Sequence, residues 1–361
     1  MATPTLALIP TGYKAGKLYS VLPESGVGDF TVVRATEATR VNEEGLIETM
    51  GANVPRLDYS GGGCPVLLTE GQSTNLITYS SDYTDASWNK VNSAGSTLPN
   101  ITSNYGISPD GTQNADRVQV SRASGAGDFS SVYKSITTSS VNRAHSIWLK
   151  SLSGTPTILI LNNNGVYVSQ QITTEWVRYE LDLGVGTVTE IQLSVVGSNF
   201  VANVSESADF LAWGAQLEAA SYPTSYIKTE GSAVTRNGDQ VYGAGDAATF
   251  NDSEGVLMAE ISALANDGTQ RWISIGSGSA SNRVSILYPV SGSEQIGCSI
   301  RASSSSVYGL NVNVTDASIP SKVAVKYKNN DCAFWINGFE IDKNTGISIS
   351  FNASLSELAF D

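Results

Sequence analysis

The sequence predicts an all-β protein made of antiparallel β-sandwich domains in tandem. Only 15% of the 361 residues are charged, and Ser, Thr, Asn and Gly fill much of the polar surface, which is typical of sheets joined by many turns. Short runs rich in β-branched and aromatic residues recur between turn residues, and this pattern indicates strands. No segment shows a sustained helical period, apart from a short stretch near residues 80–90.

The clearest element is a hairpin near the end of the sequence. In residues 323–328 (Val-Ala-Val-Lys-Tyr-Lys), larger apolar side chains alternate with Ala and Lys. Residues 329–331 (Asn-Asn-Asp) form a polar turn, and residues 333–338 (Ala-Phe-Trp-Ile-Asn-Gly) give a second apolar run. Two such runs separated by a turn predict an antiparallel hairpin. The hairpin and the strands around it resemble concanavalin/laminin-G-like jelly rolls, folds that usually bind or display.

Three segments are expected along the chain. Residues 1–72 have little clean periodicity and predict an irregular N-terminal segment that anchors the protein or completes another domain. Residues 73–236 contain strand-like runs between Gly, Asn and Ser turns, which predict a first sandwich. Because the alternation fades around residues 222–238, residues 237–361 are expected to form a second sandwich.

Charge and hydropathy exclude several partners. The formal net charge of −13 opposes binding to phosphate backbones, so nucleic acid is not expected as a partner. No run approaches the ~18 to 20 apolar residues of a membrane span, and residues 1–16 lack the features of a standard signal peptide, so neither membrane insertion nor that export route is expected. The widely spaced Cys64, Cys298 and Cys332 predict buried free thiols or a Cys298–Cys332 contact.

The sequence argues against catalysis. The single histidine, His145, precedes an apolar run and is expected to be structural, which removes the base of a nucleophilic triad. No cluster with zinc-ligand spacing is present. A glycosidase needs two carboxylates across a cleft, and 34 acidic residues leave such a pair open without marking one. We therefore expect a protein that is not an enzyme.

Ordered motifs resemble bacteriophage virion fibre and spike proteins. The motifs lie at residues 30–42, 45–47, 55–59, 72–77, 108–112 (Ser-Pro-Asp-Gly-Thr), 114–116, 213–218 (Trp-Gly-Ala-Gln-Leu-Glu) and 223–227 (Pro-Thr-Ser-Tyr-Ile). The later motifs look like the carbohydrate-binding-module-like jelly roll of these proteins, often called the phage head spike fibre domain. The resemblance covers residues 30 to 236.

This resemblance implies a structural protein on the surface of the virion. Residues 1–72 would anchor a head fibre or spike to other virion proteins, as a homo-oligomer that is commonly a trimer, while the sandwiches project and contact host-surface polysaccharide. A tail fibre or receptor-binding protein fits the same motifs. A fragment of a polysaccharide-degrading tail enzyme and a capsid decoration without glycan affinity remain open as alternatives.

Sugar binding by a jelly roll usually combines an aromatic ring, stacked on a pyranose, with Asn, Asp or Gln side chains that bind hydroxyls. Trp88 and Tyr105 flank loop-like segments and are the expected stacking residues, with Asn104 and Asp128 as polar partners. The remaining tryptophans that sit in apolar runs are expected in the core, namely Trp148, Trp213 and Trp335.

No cofactor is expected, although structural calcium is an alternative. Asp110, Asp116 and the turn at residues 342–346 supply the oxygen ligands that calcium prefers. However, Asp-Gly and Asn-Thr-Gly are ordinary turn sequences, and no metal site is predicted from them.

Overall fold

The computed structural model describes residues 3–163, 166–289 and 294–360, and these residues contain strands and turns but no helix. The predicted all-β, antiparallel sandwich fold is confirmed. The strands in the first part of the chain are β1 (Tyr13–Lys14), β2 (Lys17–Leu18), β3 (Phe30–Val33), β4 (Ala38–Val41), β5 (Ile47–Met50), β6 (Arg56–Asp58), β7 (Val66–Leu68) and β8 (Ser73–Asn75). Those in the middle are β9 (Asn89–Asn92), β10 (Thr97–Ile107), β11 (Gln113–Ser121), β12 (Phe129–Ser151), β13 (Thr157–Asn163), β14 (Val166–Gln171), β15 (Val177–Val196) and β16 (Ser207–Glu218). The last are β17 (Val234–Arg236), β18 (Gln240–Ala244), β19 (Glu254–Ile261), β20 (Arg271–Gly276), β21 (Arg283–Tyr288), β22 (Gln295–Ala302), β23 (Ser305–Asn313), β24 (Ser321–Lys328), β25 (Cys332–Ile336), β26 (Phe339–Asn344) and β27 (Glu357–Phe360).

The chain divides into two compact units. Unit 1 comprises Met1–Thr36, Met50–Thr69 and Gly238–Asp361, and unit 2 comprises Glu37–Thr49 and Glu70–Asn237. Residues 1–72, treated as one segment in the sequence, are thus divided between the two units. Because the described residues form no helix, none of them supplies a helix that could cross a membrane.

Unit 1 contains a nine-stranded sheet, in the order β1-β2-β3-β18-β27-β20-β21-β22-β23, and a four-stranded sheet, β19-β24-β25-β26. Their shared core includes Phe30, Val284, Val325 and Phe334. Strand β3 pairs with β18, so this early strand completes the sheet formed by the C-terminal residues. The predicted hairpin forms strands β24 and β25, which pair antiparallel. Alternate residues of β24 are buried, as the alternation in the sequence indicates.

A buried ion cluster lies within unit 1. The carboxylate of Asp239 forms salt bridges with the guanidinium groups of Arg34, at 2.8 Å, and Arg56. All three side chains are almost fully buried. Because isolated buried charges are costly, the Asp239 carboxylate stabilises both arginines. The cysteine thiols are all free; Cys298 and Cys332 are buried, whereas Cys64 is exposed, contrary to the expectation for it.

Unit 2 is built on an eight-stranded sheet in the order β10-β11-β16-β12-β15-β13-β14, with β9 paired to β12. The 23-residue strand β12 pairs with β9 and β15 in its first part and with β15 and β16 in its last part. Successive side chains of a strand face opposite sides of the sheet. On β16, Phe210 and Ala212 accordingly join the main core, whereas Leu211 and Trp213 form a second cluster on the other face.

The second face of this sheet is where residues 37–49 pack. The hydroxyl of Thr39 donates to the carbonyl of Tyr226 at 2.7 Å, and the amide of Ile47 donates to the carbonyl of Pro109 at 2.9 Å. Ile47 also packs against the cluster that contains Trp213 and Tyr226. The hairpin β4–β5 therefore forms one side of the surface described next.

Candidate functional site

Unit 2 carries a groove of about 400 Å³ on this second face, within the ~300 to 1,000 Å³ range typical of small-molecule sites. Five segments line it: the hairpin at residues 39–49, the loop at 79–82, the stretch 104–114, strand β16 and residues 226–230. All five belong to unit 2.

The floor of the groove is aromatic and buried. The rings of Trp213 and Tyr226 lie 4.5 Å apart between centroids, and Trp148 packs edge-on against both. Trp213 is 2% exposed and Tyr226 4%. Burial raises the pKa of the Tyr226 hydroxyl to about 12, so this group is neutral.

A glycine makes this floor possible. Gly214 follows Trp213 with φ +66°, and a Cβ at this position would lie 2.9 Å from the ring of Trp148. Only glycine adopts this backbone conformation at little cost. The register of β16 against β12 shifts at this point, as expected of a β-bulge that re-aims neighbouring side chains.

Residues of the motifs 213–218 and 223–227 form a buried hydrogen-bond network. The Glu218 carboxylate accepts from Gln216 Nε2 at 2.6 Å, from the Thr224 amide at 2.8 Å, from the Thr224 hydroxyl at 2.6 Å and from the Ser73 hydroxyl. Gln216 Oε1 in turn accepts from the Ile227 amide at 2.7 Å. This network holds residues 223–227 against β16 and thereby positions Tyr226 beside Trp213.

His145 belongs to the same buried region. Its Nδ1 lies 2.9 Å from the carbonyl oxygen of Gln216, so Nδ1 carries the proton in the neutral ring. Burial lowers the pKa of His145 to about 4. The residue is fully buried and is a structural donor, as its position in the sequence indicated.

The walls of the groove are polar. Asp110 accepts hydrogen bonds from the Ser108 hydroxyl at 2.6 Å, the Thr112 amide at 2.8 Å and Asn114 Nδ2 at 2.9 Å. Burial opposes ionisation of Asp110, but these hydrogen bonds outweigh it and lower its pKa. Asp82 accepts from the Thr84 amide at 3.0 Å, so both carboxylates are fixed by the turns that they cap.

The calcium candidates are engaged with the protein itself. Besides Asp110, Asp116 is 2% exposed and accepts from the amides of Tyr83 at 2.8 Å and Asn104 at 2.9 Å. Burial raises the pKa of Asp116. In the part of the chain that the structure describes, no three His, Cys, Asp or Glu side chains are grouped to hold a metal ion.

Two buried polar atoms of groove-lining residues have no hydrogen-bond partner among the described residues. They are Nε1 of Trp213, a donor, and Oδ1 of Asn114, an acceptor. An unpaired buried polar atom costs about 1 to 3 kcal/mol, and such atoms are uncommon.

Of the four sugar-binding residues predicted from the sequence, Asn104 lines the groove. Asn104 has a left-handed backbone, φ +52°, in a bulge of β10 between Thr102 and Gly106. Tyr105, the next residue, is 47% exposed, with the guanidinium of Arg117 over its ring, 4.8 Å from the centroid. Sugar binding by Asn104 and Tyr105 stays a prediction.

The structure places Trp88 and Asp128 elsewhere. Trp88 is fully buried; its ring packs 4.8 Å from that of Tyr83 and its Nε1 donates to the Tyr79 carbonyl at 3.1 Å. A ring without an exposed face cannot stack on a sugar, so Trp88 is corrected to a core residue. Asp128 accepts from the Gly125 amide at 2.7 Å and caps a turn, and it is not among the residues that line the groove.

Sequence reasoning missed Trp213, Tyr226 and Asn114 as groove residues. Trp213 is buried, as its apolar run indicated, yet it also lines the groove because its face of the sheet is only partly covered. The glycine after Trp213 is the one local signal for the bulge. No local signal marks Asn114.

The chain matches no protein-family model and no curated protein sequence. Among solved structures it is similar to the N-terminal CBM22-1-CBM22-2 tandem domain from Paenibacillus barcinonensis Xyn10C, at 9% identity and a TM-score of 0.27, covering 81% of this chain and 91% of that one. A likeness at this TM-score carries no argument about function.

Proposed function

We propose that this protein is a non-catalytic structural component of a bacteriophage virion, a head fibre or spike, and that the groove of unit 2 binds a host-surface polysaccharide. The virion assignment is supported by the ordered motifs of residues 30–236. The binding assignment is supported by the groove itself. The two parts are tested separately.

The observation that carries the binding proposal is the groove itself, with an aromatic floor formed by Trp213 and Tyr226 and polar walls that include the amides of Asn104 and Asn114. A sugar hydroxyl accepts from an N–H and donates to a carbonyl oxygen at once. The exposed side chains of Asp82 and Glu230 supply further acceptors. The arrangement therefore suits a ligand rich in hydroxyl groups.

The Asp110 carboxylate suits binding rather than acid-catalysed hydrolysis. A glycosidase needs a general acid whose pKa is raised so that it holds a proton. Asp110 has a lowered pKa, and four hydrogen bonds, from Ser108, twice from Thr112 and from Asn114, hold it in its turn. His145, the single histidine of the sequence, is buried with its pKa near 4.

Weak binding of this kind is useful when it is repeated. We infer that the protein forms homo-oligomers, trimers in the arrangement that the resemblance implies, repeated over the particle. Linked sites raise overall avidity by about 10²- to 10⁴-fold without new contacts. Modest affinity in each groove is then sufficient for attachment to a host surface.

Cryo-electron microscopy of purified virions tests the location. We expect oligomeric density for this chain projecting from the head. Density at the tail would replace the head-fibre assignment with a tail fibre or receptor-binding protein. Absence of the chain from intact particles would overturn the virion proposal.

A glycan array probed with the full chain and with Trp213→Phe tests the groove. Phenylalanine replaces the two-ring indole of the groove floor with a smaller ring, and a loss of apolar contact of about 1 kcal/mol lowers affinity roughly fivefold. Trp272→Phe, in unit 1, is the matched control and should bind like the wild type. If no glycan binds, or if Trp213→Phe binds as tightly as the control, the groove is not the site.

A further inference from the structure

We infer that the groove is one part of a longer surface, and that Tyr105 forms a second, aromatic subsite beside it, so that the ligand is a neutral oligosaccharide rather than a single sugar. This inference rests on the proposed glycan-binding function. It names a residue, a subsite and a ligand class that the groove alone does not specify.

The Tyr105 ring is exposed and supported from one side. The guanidinium of Arg117 lies over one face, 4.8 Å from the ring centroid, while the residue is 47% exposed. The accessible part of the ring is therefore the opposite face and the edge. A pyranose presents its C–H groups to such a face, and an aromatic ring binds them in a defined geometry.

The support beneath the ring is itself fixed. Arg117 forms a bidentate salt bridge with Asp209, in which Nε donates to Oδ1 at 2.8 Å and Nη2 donates to Oδ2 at 2.5 Å. The Arg117 guanidinium lowers the pKa of Asp209, so the pair is fully charged. Paired contacts of this type hold a planar guanidinium in one orientation, which limits the motion of the ring above it.

Three polar side chains form a cross-strand row that ends at Asp209, the partner of Arg117. Asn100, Gln119 and Asp209 are cross-strand neighbours on β10, β11 and β16. Asn100 Nδ2 donates to Gln119 Oε1 at 2.9 Å, and Gln119 Nε2 donates to Asp209 Oδ2 at 3.3 Å. Amide and carboxylate groups next to an exposed ring are suited to bind the hydroxyls of a stacked sugar.

The bulge in β10 brings this subsite next to the groove. Asn104 lines the groove, and Tyr105 is the adjacent residue, so their Cα atoms are about 3.8 Å apart. The left-handed backbone of Asn104 breaks the regular alternation of the strand, and its amide is held by Asp116 at 2.9 Å. One saccharide chain can therefore contact the groove with one unit and Tyr105 with the next.

The charges favour a neutral ligand. Asp82, Asp110 and Glu230 line the groove against one cation, Lys228, and the charge of Arg117 is matched by Asp209. The chain as a whole carries a net charge of −13. A polymer of uronic acids is repelled by this surface, whereas a neutral saccharide is not.

The test is a chain-length series measured by titration calorimetry with the full protein. The probes are malto-, cello- and chito-oligosaccharides of one to six units, with oligogalacturonates as the anionic counterpart. We expect affinity to rise with length to at least three units in one neutral series and no binding of oligogalacturonates. Tyr105→Ala should weaken the longer chains roughly fivefold and leave the monosaccharide unchanged.

Matched variants separate stacking from a general effect. Tyr105→Phe retains the ring and should bind like the wild type, and Tyr242→Ala removes a tyrosine of unit 1 that is 41% exposed and should also have no effect. Asn104→Gly removes the groove side chain in a residue type that keeps the left-handed backbone, and should weaken every length. Asn203→Gly, with φ +63°, is its control.

The outcomes distinguish the inference from the proposed function. Binding of neutral sugars that does not depend on length, or that Tyr105→Ala leaves unchanged for the longer chains, overturns the second subsite and leaves the groove proposal standing. Preference for oligogalacturonates overturns the neutral ligand class. If none of the probes binds and the array is also negative, the proposed glycan binding itself fails.

Discussion

Removal of the Glu218 carboxylate is the sharpest perturbation of unit 2. Glu218 is fully buried and accepts four hydrogen bonds, from Gln216, twice from Thr224 and from Ser73. In Glu218→Ala the two hydroxyls can rotate toward other acceptors, but the Thr224 amide cannot. Gln216 Nε2 retains only its longer contacts, to the Thr224 carbonyl at 3.2 Å and to the Ser225 carbonyl at 3.4 Å.

The cost follows from these contacts. Each buried donor left unpaired costs about 1 to 3 kcal/mol, so we expect Glu218→Ala to lower the free energy of unfolding by about 4 kcal/mol, comparable to breaking a buried charged pair. Glu218→Gln keeps the shape and one acceptor and should cost about 1 to 2 kcal/mol. The free energy of unfolding is therefore expected to be lowest for Glu218→Ala, intermediate for Glu218→Gln and highest for the wild type.

Urea and thermal unfolding, followed by tryptophan fluorescence and circular dichroism, measure this order. The two units can unfold separately, so the transition assigned to unit 2 is compared between variants; a loss of 4 kcal/mol lowers its midpoint by roughly 10 °C. Glu206→Ala, an exposed carboxylate of the same unit, is the control, with an effect within about 0.5 kcal/mol. If Glu218→Ala is no less stable than this control, the network does not hold unit 2 together.

Three further perturbations test other parts of the structure. The pKa of His145 is about 4 in the folded chain against an ordinary 6.5, so its contribution to stability is complete above pH ~6.5 and is lost as the pH falls toward 4. His145→Asn, which keeps a donor, should remove up to about 3 kcal/mol of this pH dependence in unfolding titrations. An unchanged pH profile of stability would contradict this expectation. Gly214→Ala, with a Cβ 2.9 Å from the Trp148 ring, should destabilise by about 2 to 4 kcal/mol, whereas Gly184→Ala, with φ +60° and open space, should show only the backbone cost of about 1 kcal/mol; equal midpoints would exclude the ring clash. Asp239→Asn should cost unit 1 about 3 to 5 kcal/mol because two buried arginines lose a charged carboxylate partner, and denaturant unfolding within 1 kcal/mol of wild type would refute that role.

Local sequence was sufficient where the physics is local. Alternation in residues 323–328 places Val323, Val325 and Tyr327 on one face, and the structure buries all three. The same reasoning identified His145 as structural, because an apolar strand surrounds it. Asn104 and Tyr105 were noted from their loop-like neighbourhood, and the structure sets one in the groove and leaves the other exposed.

Local sequence failed where burial depends on distant segments. The loop-like segment beside Trp88 indicated an exposed ring, but the ring is buried and contacts Tyr83 and the carbonyl of Tyr79. Its flanking residues carry no information about which part of the chain packs over them. Burial of an aromatic ring is decided by hydrophobic packing over the whole unit, not by neighbours in sequence.

The sequence by itself determined that the chain forms antiparallel sheets, since strand periodicity and turn residues act over a few positions. Only the tertiary structure decided where the site lies. Thr39 and Tyr226, 187 residues apart, are joined by a hydrogen bond at one side of the groove, and the bulge at Gly214 aims the floor between them. Contacts over such separations depend on which strands pair and in what register, and a one-residue change of register would turn every side chain to the other face.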